Sequence, residues 1–140
     1  MYRKITRKAS GAKATAWLWF TKYIRLRDAL ATTGTPYNAR CITCGKVYPI
    51  SEMDSGHMIP GRTGGILFDE SMVFAQCRPC NREGNGEKQA FKIVMVERNG
   101  AEWYELKEQA RKTNTKLGDF ECKLISDEYR EKYNALKAQL

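Results

Sequence analysis

Two Cys-x-x-Cys pairs, Cys41 with Cys44 and Cys77 with Cys80, enclose the only histidine of the chain, His57, and the second pair runs directly into Asn81. Each pair lets two thiolates converge on one ion, and together they supply the four soft ligands of a closed, structural zinc site. Cys44 is followed by Gly45, which suits the tight turn of a zinc knuckle, whereas the second pair leads into polar residues and then an apolar-periodic segment. A knuckle plus a helix-borne pair is the layout of a treble clef; a zinc ribbon would repeat Cys-Gly where this chain has Cys80-Asn81. Disulfides are the competing reading. The opening MYRKITRKAS holds no apolar signal segment, and spaced pairs in an intracellular protein usually bind metal. Cys122 is left over and reads as a small buried hydrophobe.

The bracketed residues suit phosphodiester hydrolysis, which needs a group to activate water, a cation to stabilise charge and a fixed geometry between them. A neutral imidazole at His57 can accept a proton from water. Asn81, on the first turn of a zinc-pinned helix, can offer an oxygen to a hard ion such as Mg²⁺. The zinc then holds the two halves in register and does not itself catalyse. Arg62, in the Gly-rich stretch Pro60 to Gly65, is placed to bind a flanking phosphate.

Positioning these groups falls to a strand carrying His57 (Met53 to Ile59), a loop, a second strand (Met72 to Gln76) and a helix from near Arg78, which together make a ββα unit. A hairpin-like excursion is expected between Val47 and Ile59, with Pro49 and Ser51 in its turn. Before this core, residues 1–10 read as a basic arm, and 11–36 as an amphipathic helix with Ala16, Trp19, Tyr23, Leu26 and Leu30 in its stripe, widened by Trp17, Phe20 and Ile24. The core spans 37–98, with its helix interrupted at Gly84-Asn85-Gly86 and resuming over Glu87 to Arg98. A helical extension, 99–140, holds a helix from Ala101 to Lys112 and another from Asp127 to Leu140 capped by Ser126. The expectation is one α+β domain.

At 140 residues and 42% hydrophobic, the chain can bury one modest core, and a zinc centre adds folding energy where that core is thin. No run approaches the ~18 apolar residues of a membrane span, so a cytoplasmic protein is expected. The net charge is +8. Residues 1–40 hold nine basic side chains against Asp28 alone, and the remainder of the chain balances to zero. Such clustering points to nucleic acid as partner, with Arg3, Lys4, Arg7, Lys8, Lys22 and Arg25 facing phosphates.

The order Cys-x-x-Cys, Gly-His, Cys-x-x-Cys-Asn resembles the HNH, or His-Me finger, endonucleases. More closely, WFTKYIRLRDA (19–29), CITCG (41–45), GHMIPGR (56–62), LFDES (67–71) and QCRPCN (76–81) resemble the NinG/Rap recombination proteins of lambdoid phages. The resemblance runs from the first helix to about residue 112. It implies a phage-encoded, metal-dependent endonuclease selective for branched DNA such as Holliday junctions and D-loops. His57 is then the general base, Asn81 a ligand of a catalytic Mg²⁺ or Mn²⁺, and the four paired cysteines the zinc ligands. Gly56 stands where the broader pattern carries an acid, and Ser71 where its middle Asn falls. A carboxylate is therefore sought elsewhere: Asp54, two residues before Gly56 on the same strand face, leads, with Glu83 and Asp69 as alternates. Symmetric resolution of a junction favours a homodimer. The competing readings are a zinc-stabilised DNA-binding module without cleavage, kept open by Gly56 and Ser71, and an adaptor that binds recombination proteins through its aromatic and C-terminal helices.

Overall fold

The computed structural model describes residues 2–60, 66–113 and 116–140, with side chains from residue 11 onward. Its elements mix helices with two small sheets, an α+β class as expected: α1 (Tyr2–Thr33), β1 (Asn38–Arg40), β2 (Val47–Pro49), β3 (Met53–His57), β4 (Val73–Cys77), a π-helical turn (Pro79–Glu83), α2 (Lys88–Asn99), α3 (Ala101–Arg111) and α4 (Asp119–Lys137). Among the described residues, no helix is long and apolar enough to cross a membrane.

The chain divides into two compact units where a single domain was expected. One comprises Met1–Tyr23 and Leu117–Leu140, the other Ile24–Lys116. In the first, α1 meets α4 through aromatic rings: Phe20 stands edge-on to Tyr129 at 4.9 Å between centroids, and Trp19 lies 6.0 Å from Tyr133. The aromatic stripe is thus packing surface. Its buried line is Ala16, Phe20 and Ile24, all at 0% exposure, with Trp19 and Tyr23 only half-buried. Both lines satisfy helical spacing, and the rings of α4 meet both, Phe20 and Tyr23 against Tyr129 and Trp19 against Tyr133.

Two sequence-derived boundaries shift. The helix expected from residue 11 runs without a break from Tyr2, through the stretch read as an arm. The last helix begins at Asp119, and Ser126, read as its cap, is a buried mid-helix residue. Gly118 precedes that helix and Asp119 and Glu121 occupy its first turn, where acidic side chains suit the positive end of the helix dipole.

The larger unit carries the candidate site. Strands β1 and β2 pair antiparallel around the first Cys-x-x-Cys turn, and β3 pairs antiparallel with β4, Met53 opposite Cys77 and His57 opposite Val73. Val47–Pro49 therefore pairs backward with β1; the hairpin expected between Val47 and Ile59 is replaced by a 3₁₀ turn, Ile50–Glu52, that separates two sheets. One apolar cluster joins Met58, Ile59, Ile66 and Met72 to Phe91, Met95 and Tyr104 of α2 and α3. The other packs Ala29, Ala39, Met53 and Ala75 around Cys41 and Cys77. A buried carboxylate ties α1 to this second cluster. Asp28 accepts the Ala75 N–H at 2.7 Å and the Arg27 Nε at 2.8 Å, while Arg27 donates onward to the carbonyls of Glu70 and Val73, each at 2.8 Å.

Candidate functional site

Cys41 follows β1 directly, and the turn to Cys44 closes through the Gly45 N–H on the Cys41 carbonyl at 3.0 Å. Gly45 has φ +76°, a left-handed conformation that glycine adopts without steric cost. On the other side, Cys77 ends β4 and Cys80 lies in the π-helical turn. The four sulfurs fall within 4.8 Å of one another, and Cys44 Sγ is 3.8 Å from Cys77 Sγ. A tetrahedral zinc with bonds of about 2.3 Å separates its sulfurs by about 3.8 Å, so this donor set fits zinc. None of the cysteines is in a disulfide.

The electrostatics point the same way. Burial raises the Cys41 thiol, but the Cys44 and Cys77 N–H groups and the Thr43 hydroxyl outweigh it and bring the pKa down to about 6. Cys80 is pushed up to about 12 by burial and by the neighbouring sulfurs, against one lowering contact from Thr43. Four thiolates this close repel one another unless a cation sits among them. Sequence spacing identified the cysteines; Thr43, which touches Cys41 Sγ at 3.4 Å, carried no signal beyond its place in the turn.

His57 ends β3 and is 8% exposed. Its Nε2 lies 3.0 Å from the Leu67 carbonyl oxygen. A carbonyl only accepts, so this contact selects the tautomer with hydrogen on Nε2 and the basic lone pair on Nδ1. The His57 carbonyl is itself gripped by the Lys88 ammonium at 2.5 Å, and burial lowers the pKa of that lysine. Lys88 was not singled out in the sequence.

Asp54 and Asn81 are brought together: Asn81 Nδ2 donates to Asp54 Oδ2 at 3.0 Å. Asp54 also receives a two-pronged contact from Arg82, Nε and Nη2 each at 2.9 Å, and Arg78 Nε stands 3.9 Å away. Burial raises the Asp54 pKa, but the Arg82 and Asn81 hydrogen bonds and both guanidinium charges hold it below the usual carboxylate range. Alternation along the ladder puts Asp54 and Gly56 on one face of β3 and Met53, Ser55 and His57 on the other, so register alone does not aim His57 at the Asp54–Asn81 pair. The alternate acid Asp69 is committed to Lys107 at 2.7 Å and to the N–H and hydroxyl of Ser71 at 3.0 and 2.6 Å. Ser71 thus turns its loop by bonding back to Asp69.

The glycine at position 56 has a packing cause. A Cβ there would run into the Gln76 side chain, whose Oε1 is the nearest atom and whose Cβ is 3.1 Å away. Gln76 is fully buried, and its Nε2 is anchored to Thr43 Oγ1 at 3.1 Å and the Gly86 carbonyl at 2.8 Å, so it cannot swing aside cheaply. Gly56→Ala is therefore expected to cost about 1–3 kcal/mol, as overpacking does. Urea unfolding reads this directly, and a variant as stable as the parent would show that Gln76 yields.

Of the side chains assigned to DNA, Lys22 Nζ lies over the Trp19 ring at 4.9 Å and the Tyr133 ring at 5.7 Å, and Arg25 donates to the Ile50 carbonyl at 3.1 Å. The side chains of Arg3, Lys4, Arg7 and Lys8, and all of Arg62, lie outside the described residues.

Comparison with known proteins agrees with the motifs. The family described as Bacteriophage Lambda NinG protein matches residues 3–139. Protein ninG of Salmonella phage P22 is 29% identical over 98 residues, which cover 69% of this chain and 47% of that protein. The chain thus spans about half the length of this curated relative. No solved structure matches the present chain. A match over nearly every residue means that the chain, which gathers its four paired cysteines into one cluster, belongs to the NinG family of bacteriophage proteins.

Proposed function

We propose that the protein is a DNA endonuclease of the His-Me finger type, built on a treble-clef zinc centre, that cuts branched recombination intermediates such as Holliday junctions and D-loops. Its family suggests a role connected with phage recombination. The observation that carries the reading is the 3.0 Å contact from His57 Nε2 to the Leu67 carbonyl. With the hydrogen on Nε2, Nδ1 carries the basic lone pair: water attacks phosphorus, its proton passes to Nδ1, the bond to the leaving oxygen breaks, and that oxygen takes a proton from solvent. Cys41, Cys44, Cys77 and Cys80 would hold a structural zinc that fastens the first Cys-x-x-Cys turn to the end of β4, while β3–β4 pairing keeps the strand bearing His57 beside the turn bearing Asn81. A divalent ion such as Mg²⁺, when bound, stabilises charge on the phosphoryl oxygens. Asn81 offers an amide oxygen for it, whereas Asp54, already paired with Arg82 and Arg78, does not fit a divalent ion in this arrangement.

That same ion pair favours a second reading, a zinc-stabilised DNA-binding accessory protein that does not cut. The two separate on a labelled four-way junction and a linear duplex of the same sequence, with Mg²⁺ and with Mg²⁺ removed. The expected result is metal-dependent cutting of the junction, reduced by at least ~100-fold in His57→Ala, the lower end of what a general base contributes. Cutting by His57→Ala at the parental rate would sink the nuclease reading, and tight binding without cutting by either protein would establish the accessory one.

A further inference from the structure

A cavity of about 260 Å³ opens between the C-terminal half of α1, β1, β4 and α2, and it is lined by Arg27, Arg40 and Arg98 together with Thr32, Ile42 and Phe74. Three guanidiniums from three separate elements converge on one concave surface. The carboxylate in its wall, Asp28, is already spent on Arg27 and the Ala75 N–H. Arg27 is likewise committed, and with Arg98 it flanks the Phe74 ring, their guanidinium carbons 4.8 and 5.5 Å from its centroid. The Arg98 guanidinium donates no hydrogen bond among the described residues, and Arg40 donates through Nη1 to the Gly45 carbonyl at 2.7 Å. The cavity therefore presents excess positive charge and unspent N–H donors in a planar fork, over an apolar floor. Such a set suits an oxyanion that takes paired hydrogen bonds, above all phosphate.

Size narrows the ligand. At about 30 Å³ per water the volume equals roughly nine waters, room for a phosphate together with the sugar beside it. We propose that this cavity is a phosphate-binding pocket that seats one backbone phosphodiester of a DNA strand, with Arg98 and Arg40 as the contacting side chains and Arg27 as the fixed wall. The inference rests on the DNA reading above but not on cleavage. The pocket adds to the phosphate-facing side chains named from sequence; Lys22 and Arg25, the two of them whose side chains are described, are not in its lining.

The test is anisotropy of a labelled four-way junction, without divalent metal, across roughly 50 to 200 mM salt. Arg98→Gln and Arg40→Gln are each expected to weaken binding several-fold at low salt and to flatten the plot of log affinity against log salt by about 0.9, the increment for one lost phosphate contact. Lys92→Gln removes a charge from the same helix, over the Tyr104 ring at 4.8 Å, outside the pocket lining, and is expected to leave the slope near the parental value. Parental slopes in both arginine variants, or an equal loss in Lys92→Gln, would overturn the pocket. If inorganic phosphate raises the melting temperature of the parent but not of Arg98→Gln, while junction binding is the same in both, the pocket holds free phosphate and the DNA assignment fails. A parent that binds the junction without cutting it overturns only the nuclease reading; a parent that does not bind it overturns both.

Discussion

Removing zinc, by a strong chelator or by Cys77→Ala, is expected to abolish the cooperative unfolding transition of the Ile24–Lys116 unit. Structural zinc in small finger domains contributes about 10–16 kcal/mol at neutral pH, comparable to the whole stability of a domain. Here the four sulfurs join the β1–β2 pair to the β3–β4 pair, which lie in separate sheets and otherwise meet through the Ile42 N–H on the Ala75 carbonyl at 3.1 Å, the Gln76–Thr43 contact at 3.1 Å and a shared apolar cluster. Cys41 and Cys77 also sit inside the apolar cluster of Ala29, Ala39, Met53 and Ala75, so losing the ion exposes that cluster. Circular dichroism with stepwise chelation, and refolding on added zinc, gives the answer. A native protein containing no zinc, with a melting temperature indifferent to chelator, would remove the zinc centre altogether.

The pH dependence follows from the same site. Protons compete with zinc for sulfur, and the Cys41 thiol is lowered to about 6 by the hydrogen bonds it accepts. Its folded pKa lies below the unfolded value, so the stabilisation it adds is complete above that ordinary value and is lost as pH falls through the folded one. Any bound zinc is therefore expected to be held progressively less well as the solution is acidified from the ordinary thiol range down through about pH 6, followed by a colorimetric zinc indicator. Zinc that stays fully bound well below that pH would contradict it.

The second large effect is expected at Asp28. Asp28→Ala removes a carboxylate that is 6% exposed and leaves two partners behind: the Ala75 N–H, buried against α1, and the Arg27 guanidinium. Breaking a buried pair by deleting one member costs about 3–5 kcal/mol, because the remaining charge and donor are stranded. For a unit of this size, that is a drop in melting temperature of more than about 12 °C. Asp28→Asn keeps an oxygen for the Ala75 N–H and gives up only the charge, so a smaller loss is expected. Equal losses in the two variants would mean that Asp28 acts through charge and not as the anchor of β4; a negligible loss in Asp28→Ala would show that α1 docks without it.

Much of the candidate centre was legible before folding, because metal-ligand chemistry is local. Two thiols three residues apart can reach one ion in any chain, and a Gly after the second makes the turn, so the four-cysteine cluster and its first turn followed from spacing. The helix at 101–111, the interruption at Gly84-Asn85-Gly86 and the strand bearing His57 were readable for a similar reason: each depends on periodicity or on a backbone conformation that Gly and Asn tolerate. The chain passes from the π-helical turn to α2 through Asn85, Gly86 and Glu87, all at positive φ.

What spacing did not reveal was which partner each charged or polar group takes. Asp54 stood out as an acid near His57, but its pairing with Arg82 arises only when β3 packs beside the turn after Cys80, 28 residues later. Gly56 read as a missing carboxylate, and it is a site where Gln76 from the opposing strand leaves no room for a side chain. Asp28 looked like a single acid in a basic segment, and it is the buried anchor of a strand 47 residues away. Even which line of α1 is fully buried, Ala16 and Phe20 and not Trp19 and Tyr23, did not follow from the helical period, which both fit equally well. Ligand spacing and helix period are properties of neighbouring residues, which the sequence alone determined. The destination of a charge, and the room beside a glycine, belong to segments far apart in the chain, and only the tertiary structure brings those together.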